Sequence, residues 1–231
     1  MAVAGNTRVG TEADAKASPL VVIVEDDDGV REGLQDLLRS VDLDTIAFGS
    51  TRGLLAATLP DRPGCLVLDV RLPGSSGLEL QSKLVAMGNR MPIIFMTGHG
   101  DVPMSVQAMK AGALDFLTKP FRDQDMLDAI AVAIERDRAR RAESAGVAEI
   151  EALAASLTAR EAEVMRHVVE GLLNKQIAYA LGISEITVKI HRGNVMRKMA
   201  AGSVADLVRK TEMLKTGAGH CRPDPATGCA R

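Results

Sequence analysis

The chain has 231 residues, with 46% hydrophobic and 25% charged side chains, the balance of an ordinary globular protein of one to two domains. Aromatics are 2% and Trp is absent, so the cores must be Val, Leu, Ile, Ala and Met, which argues against carbohydrate sites and base-stacking RNA platforms. The net charge of −2 hides an asymmetry: residues 19–122 carry 10 basic against 13 acidic side chains, and residues 157–215 carry 10 against 6. The acidic part suits a cation and the basic part a polyanion.

Cys65, Cys221 and Cys229 are scattered and form no disulfide framework. No apolar run approaches the ~18 residues of a membrane span, and the N-terminus lacks the apolar core of a secretory signal. The expectation is a cytoplasmic protein without a membrane partner.

Residues 1–18 show no periodicity and read as a disordered lead-in. Leu20 to Val24 is a short β-branched run, followed at once by Glu25-Asp26-Asp27-Asp28. Val30, Leu34, Leu37, Leu38 and Val41 then fall at helical spacing, with Asp28 as the expected N-cap. The unit repeats: strands at 43–47, 65–69, 92–97 and 114–118 lead to helices at 51–58, 77–86, 102–111 and from 123 on. Five strands alternating with five helices predict a doubly wound parallel sheet, an α/β flavodoxin-like domain over 19–135.

The last of these helices runs into Glu135-Arg136-Asp137-Arg138-Ala139-Arg140-Arg141, charged and helix-favouring but without a wide apolar face. It reads as a helical linker over 136–155, with Ser144-Ala145-Gly146 as the expected interruption. From Leu157 the pattern is all helical. Thr158 and Glu161 form a capping box, Gly171 ends the first helix, and Asn174 to Leu181 is the second. Gly182-Ile183-Ser184 turns into a third from Glu185 to about Met199, and a fourth lies near 203–214. This predicts a separate all-α four-helix domain over 156–215, with a loose tail over 216–231. His220, Cys221 and Cys229 in that tail read as incidental rather than a metal site.

Ends of neighbouring parallel strands converge, so Glu25 and Asp26 after the first strand, Asp69 after the third, Thr97 after the fourth and Lys119 after the fifth are expected to meet. Three carboxylates repel one another and call for a cation; hard oxygen ligands suit Mg²⁺. A carboxylate beside such an ion can accept a phosphoryl group, and a lysine and a hydroxyl can hold its oxygens.

This constellation resembles the receiver domain of two-component response regulators over roughly 19–125. The resemblance puts Mg²⁺ (or Mn²⁺) on Glu25, Asp26, Asp69 and the backbone carbonyl of Arg71, and phosphorylation on Asp69. It puts the switch hydroxyl on Thr97, the aromatic switch on Phe116 and the phosphate-binding lysine on Lys119, before a cis proline bond at Pro120. Glu25 departs from the more usual Asp. Aspartate-nucleophile phosphatases also place Asp at a strand end, but they resemble Asp-x-Asp; here Arg71 stands at the second acid, so no enzyme is expected beyond self-phosphorylation and dephosphorylation.

In the basic part, two helices joined at Gly182-Ile183-Ser184 fit a helix-turn-helix. Val188, Val195 and Met199 should pack inward, leaving Lys189, Arg192, Gly193, Met196 and Arg197 on the opposite side of the second helix. The segments Leu157-Thr158-x-Arg160-Glu161, Gly171-x-x-Asn174-Lys175-x-Ile177-Ala178 and Ile183-Ser184-Glu185-x-Thr187-Val188-Lys189-x-His191 resemble the LuxR-type helix-turn-helix over 155–215. That resemblance assigns DNA contacts to Thr187, Lys189 and His191, Arg192 is added from its exposed position, and Asn174, Lys175, Ser184 and Arg197 complete the expected DNA-binding set. Together with Thr97-Gly98-His99-Gly100-Asp101-Val102-Pro103-Met104, the two parts resemble FixJ-type response regulators. The implied partners are a sensor histidine kinase, promoter double-stranded DNA, RNA polymerase and a second copy of the chain on phosphorylation, the output being activation of transcription. A DNA-binding regulator with a vestigial receiver is the alternative.

Overall fold

The computed structural model describes residues 18–98 and 102–219. His99, Gly100 and Asp101, and the tail carrying His220, Cys221 and Cys229, lie outside the described residues. The chain divides into two compact units, Met1–Arg141 and Ala142–Arg231.

In the first unit, β1 (Leu20–Val24), β2 (Asp44–Phe48), β3 (Gly64–Asp69), β6 (Ile93–Thr97) and β7 (Asp115–Thr118) form one sheet in the order β2-β1-β3-β6-β7. All of its pairings are parallel. β1, β3 and β6 are buried along their whole length, which is why they read as continuous apolar runs rather than alternating ones.

Successive side chains nevertheless serve opposite faces. Leu20, Val22, Val24, Leu66 and Leu68 pack with Leu54 of α2 (Thr51–Ala56), Leu80 and Leu84 of α3 (Gly77–Ala86) and Ala108 of α4 (Val102–Lys110). Val21, Ile23, Cys65 and Val67 pack with Leu34 and Leu38 of α1 (Asp28–Arg39) and with Met126, Ile130 and Ile134 of α5 (Asp123–Ala155). Each fully buried aliphatic side chain stabilises the layer by roughly 1.5–3 kcal/mol. The strand order reverses between β1 and β3, which opens a crevice above their C-terminal ends.

Three local features depart from the sequence expectation. The N-cap of α1 is Asp27, whose carboxylate accepts from the Val30 amide at 2.9 Å; Asp28 is the first helical residue. The segment after Asp69 closes as a two-residue hairpin of β4 (Arg71–Leu72) and β5 (Ser75–Ser76), turning at Gly74 with φ +82°. α5 is unbroken through Ser144-Ala145-Gly146. A single glycine costs a helix only about 1 kcal/mol, and Ala and Glu on both sides, with Arg before it, outweigh it.

α5 is fastened to the base of the sheet by Asp137, which is fully buried. Its carboxylate accepts from the Gly64 amide at 3.1 Å, from Arg140 at 2.6 and 3.0 Å, and from Arg141 at 2.8 Å. Arg141 also reaches Asp61 at 2.5 Å. Burial and the Asp137 charge push the Cys65 thiol up to about 12, leaving it a packing residue.

In the second unit, α6 (Ala159–Val169), α7 (Asn174–Leu181), α8 (Glu185–Lys198) and α9 (Val204–Gly219) enclose a core of Val164, Val168, Ile177, Val188, Val195, Met199 and Leu207. The Thr158–Glu161 capping box is present at the start of α6. Gly182 takes φ +64° to end α7, and Ser184 caps α8 by accepting from Thr187 N–H at 3.1 Å. Lys210 donates to the carbonyls of Met199 and Ala200 at 3.0 and 2.7 Å, satisfying groups that the end of α8 leaves unpaired.

Candidate phosphoacceptor site and nucleic-acid interface

At the crevice, Lys119 stands between two carboxylates. Its Nζ donates to Glu25 Oε2 at 2.6 Å and to Asp69 Oδ2 at 2.7 Å. Asp69 Oδ1 accepts from the Arg71 amide at 2.9 Å, so the hairpin that follows the strand orients its carboxylate. Glu25 is 1% exposed and Asp69 7%, while Asp26 opens to solvent. Ligand oxygens of Glu25, Asp26 and Asp69 all lie within 4.8 Å of one another.

Burial raises the Glu25 carboxyl above its ordinary range; the Lys119 hydrogen bond opposes this and the Asp69 charge adds to it. Burial also works against the Lys119 ammonium, but the bonds to Asp69 and Glu25 outweigh it and hold that group above its usual value. One cation thus bridges two converging carboxylates and offsets only part of their charge.

The other predicted residues are placed around this triad. Thr97 is fully buried at the end of β6, and its carbonyl accepts from the Lys119 amide at 2.6 Å. The Lys119-Pro120 bond is cis. Phe116 is half-buried, pairs in register with Phe95 and packs on the core. Arg71 is exposed.

Two further residues shape the site and escaped sequence reasoning. Arg31 in α1 donates to the Glu25 carbonyl at 2.8 Å and to the Asp26 carbonyl at 3.4 Å, and pairs with Asp28, pinning the acidic loop. Gly77 begins α3 against the backbone beyond Asp69: a Cβ there would stand 2.4 Å from the Asp69 carbonyl. A glycine opening a helix shortly after the key carboxylate was the available signal.

In the second unit, α7 and α8 form the helix-turn-helix. Val188, Val195 and Met199 are fully buried, as the spacing predicted. Lys175, Ser184, Lys189 and Arg197 are exposed, whereas Asn174, Thr187, His191 and Arg192 are half-buried. Arg192, expected to project freely, donates to Asn174 Oδ1 at 3.0 Å and braces α8 on α7. Met196 turns to the core rather than to the outer side. Arg160 donates to the Leu181 carbonyl at 2.7 Å, fixing the end of α7 to α6.

A parallel sheet with a lysine-bridged carboxylate pair at its switch point, followed by a helix-turn-helix unit, defines a class: a signal receiver joined to a DNA-binding domain. Family models agree, matching "Response regulator receiver domain" over residues 21–131 and "Bacterial regulatory proteins, luxR family" over 155–211. Nodulation protein W of Bradyrhizobium diazoefficiens is 55% identical over 210 residues, covering 91% of this chain and 92% of its own. Transcriptional regulatory protein FixJ of Azorhizobium caulinodans is 45% identical over 207 residues, covering 90% and 96%. Among solved structures, response regulator StyR matches with a TM-score of 0.78 at 48% identity, covering 85% of this chain and 99% of that one. Full-length FixJ from B. japonicum matches with a TM-score of 0.51 at 38% identity, covering 85% and 97%. The chain belongs to the FixJ-type response regulators of two-component systems, transcription regulators with a receiver and a LuxR-type DNA-binding domain.

Proposed function

We propose that Asp69 accepts a phosphoryl group from a sensor histidine kinase and that this modification controls binding of the second domain to promoter DNA. The observation that carries the reading is the Lys119 ammonium 2.7 Å from Asp69, with the carboxylates of Glu25 and Asp26 gathered beside it. The hard-oxygen donor set fits Mg²⁺ or Mn²⁺, held by Glu25, Asp26, Asp69 and the Arg71 carbonyl. When bound, the ion supplies neutralisation of charge on the transferring phosphoryl group.

An Asp69 carboxylate oxygen attacks the phosphorus of a phosphohistidine whose ring is protonated on its other nitrogen. The bond from phosphorus to the donor nitrogen breaks, and an acyl phosphate and a neutral imidazole, which keeps that proton, result. Lys119 releases Asp69 and pairs with the new phosphate oxygens, to which the Thr97 hydroxyl also donates. Phe116 follows inward, altering the surface of α4, β7 and α5 on which two copies associate. A shift from 1:99 to 99:1 requires about 5.5 kcal/mol. Charge-assisted bonds at ~1.5–3 kcal/mol each supply that scale.

In this reading residues 19–135 receive the signal, 136–155 link, and 156–215 bind DNA through Asn174, Lys175, Ser184, Thr187, Lys189, His191, Arg192 and Arg197. The dimer recruits RNA polymerase as an activator in the cytoplasm. The protein turns over no outside substrate.

The test is incubation of the full chain with acetyl phosphate and Mg²⁺, followed by intact-mass measurement and size-exclusion chromatography. The wild type gains one phosphoryl group and shifts toward dimer, and Asp69→Asn does neither. Equal gain in Asp69→Asn, or no gain in the wild type, refutes Asp69 as the acceptor. A wild type that binds promoter DNA equally with and without the modification establishes the vestigial-receiver alternative instead.

A further inference from the structure

The outward side of α8 is not the basic surface that a polyanion alone would require. Ile186 is 71% exposed and Ile190 60%, one helical turn apart, and exposed Gly193 follows on the same side. Exposed Lys189 and Arg197 flank this strip. Gly193 answers to no demand of the protein itself. It lies within α8 between two ordinary turns, is not among the residues of positive φ, and a Cβ built on it meets nothing within 4 Å. Glycine is a poor helix former, so an open mid-helix glycine has a cost with no return inside the free domain.

Two other helical glycines, Gly33 and Gly146, are equally open. Their neighbours a turn away include Asp36, and Glu143 with Glu149, whereas Gly193 has Lys189 and Ile190 before it and Met196 and Arg197 after it. A bare backbone between cations, in line with two exposed isoleucines, suits close approach of an anionic ligand that also offers apolar groups. Duplex DNA read through its major groove is such a ligand, because each thymine presents a C5-methyl there beside the phosphate backbone.

We propose that Ile186, Ile190 and Gly193 are the base-reading strip of this regulator: Ile190 and Ile186 pack on thymine methyls, and Gly193 lets the α8 backbone approach the groove more closely than any side chain would permit. This deepens the DNA-binding reading and rests on it. Lys189 supplies attraction to phosphate; the apolar strip supplies preference for thymine.

The test uses the full chain, treated with acetyl phosphate and Mg²⁺, and a pool of random-sequence duplexes from which bound molecules are selected. Each thymine of the selected duplex is then replaced by uracil, which removes only the methyl group. At one or more positions the wild type loses about fourfold in affinity, the worth of one buried methyl-sized group, and Ile190→Ala is indifferent to that replacement. Gly193→Ala melts at a higher temperature than the wild type yet binds the selected duplex about tenfold more weakly; a merely structural glycine cannot give opposite signs.

Uracil without effect at every thymine, or Gly193→Ala binding as well as the wild type, overturns the inference and leaves DNA binding standing. Ile190→Ala that alters sedimentation but not DNA affinity assigns the strip to a protein contact and overturns it too. A wild type that enriches no duplex overturns DNA reading altogether.

Discussion

The Asp137 carboxylate accepts a hydrogen bond from the Gly64 amide across 73 residues of sequence, joining α5 to the first residue of the strand that ends in Asp69. Both groups are buried, so neither has water as a substitute partner. Asp137→Ala leaves the amide unsatisfied and two arginines without their shared acceptor. The expected loss is about 3–5 kcal/mol, by analogy with broken buried ion pairs, read as a fall in the urea midpoint of the full chain. Asp137→Asn keeps an acceptor oxygen and should lose clearly less. Equal midpoints for wild type and Asp137→Ala would show that the contact is idle.

Glu161 offers a pH test in the second unit. Its carboxylate accepts from Lys198 at 2.7 Å and from the Thr158 amide at 2.9 Å, and these bonds lower it to about 2. A carboxylate depressed on folding adds stability above its unfolded value, near 4.3, and loses it as pH falls through the folded value. Stability should therefore decline between about pH 4.3 and 2 by more in the wild type than in Glu161→Gln, which keeps the cap but not the charge. Circular dichroism in urea across that range measures it; parallel curves for the two proteins would count against the pairing.

Removing the cation between Glu25 and Asp69 should favour another. Lys119→Met leaves two converging carboxylates without their shared partner, so the Mg²⁺ affinity measured by calorimetry should rise roughly tenfold, a conservative fraction of the ~4 kcal/mol for a charge pair at 4 Å in a medium of intermediate dielectric. Asp69→Asn should weaken it. Unchanged or weaker Mg²⁺ binding by Lys119→Met would mean that the ammonium does not compete for the site.

Lys189→Ala should weaken DNA binding across sequences and lower the slope of log affinity against log salt by about 1, leaving phosphorylation intact. Fluorescence anisotropy at several salt concentrations reports both quantities. A slope equal to that of the wild type would remove Lys189 from the phosphate contacts.

The strands and the residues at their ends were legible because a buried parallel strand is a continuous apolar run, and carboxylates, a hydroxyl and a lysine interrupt such runs abruptly at Glu25, Asp69, Thr97 and Lys119. Other features left weaker traces. The β4–β5 hairpin has two residues per strand, too few for any period to show. Consecutive aspartates at 27 and 28 are equally good cap residues by type, and only backbone geometry selects Asp27 over the expected Asp28. The continuity of α5 depended on summed helix propensity rather than on the single glycine that suggested a break. Asp137 finding Gly64, and Arg192 finding Asn174, are partnerships made by tertiary packing, with no local pattern to announce them.

The 2.6 Å bond from the Lys119 amide to the Thr97 carbonyl has a mechanical meaning. It rivets together the two strand ends that bear the hydroxyl and the ammonium, so neither anchor point can drift without dragging the other. A phosphate arriving at Asp69 would then meet a socket of set gauge, filled by swinging side chains on a stationary frame. Tension on either side chain would be delivered to β6 and β7 as a single pull.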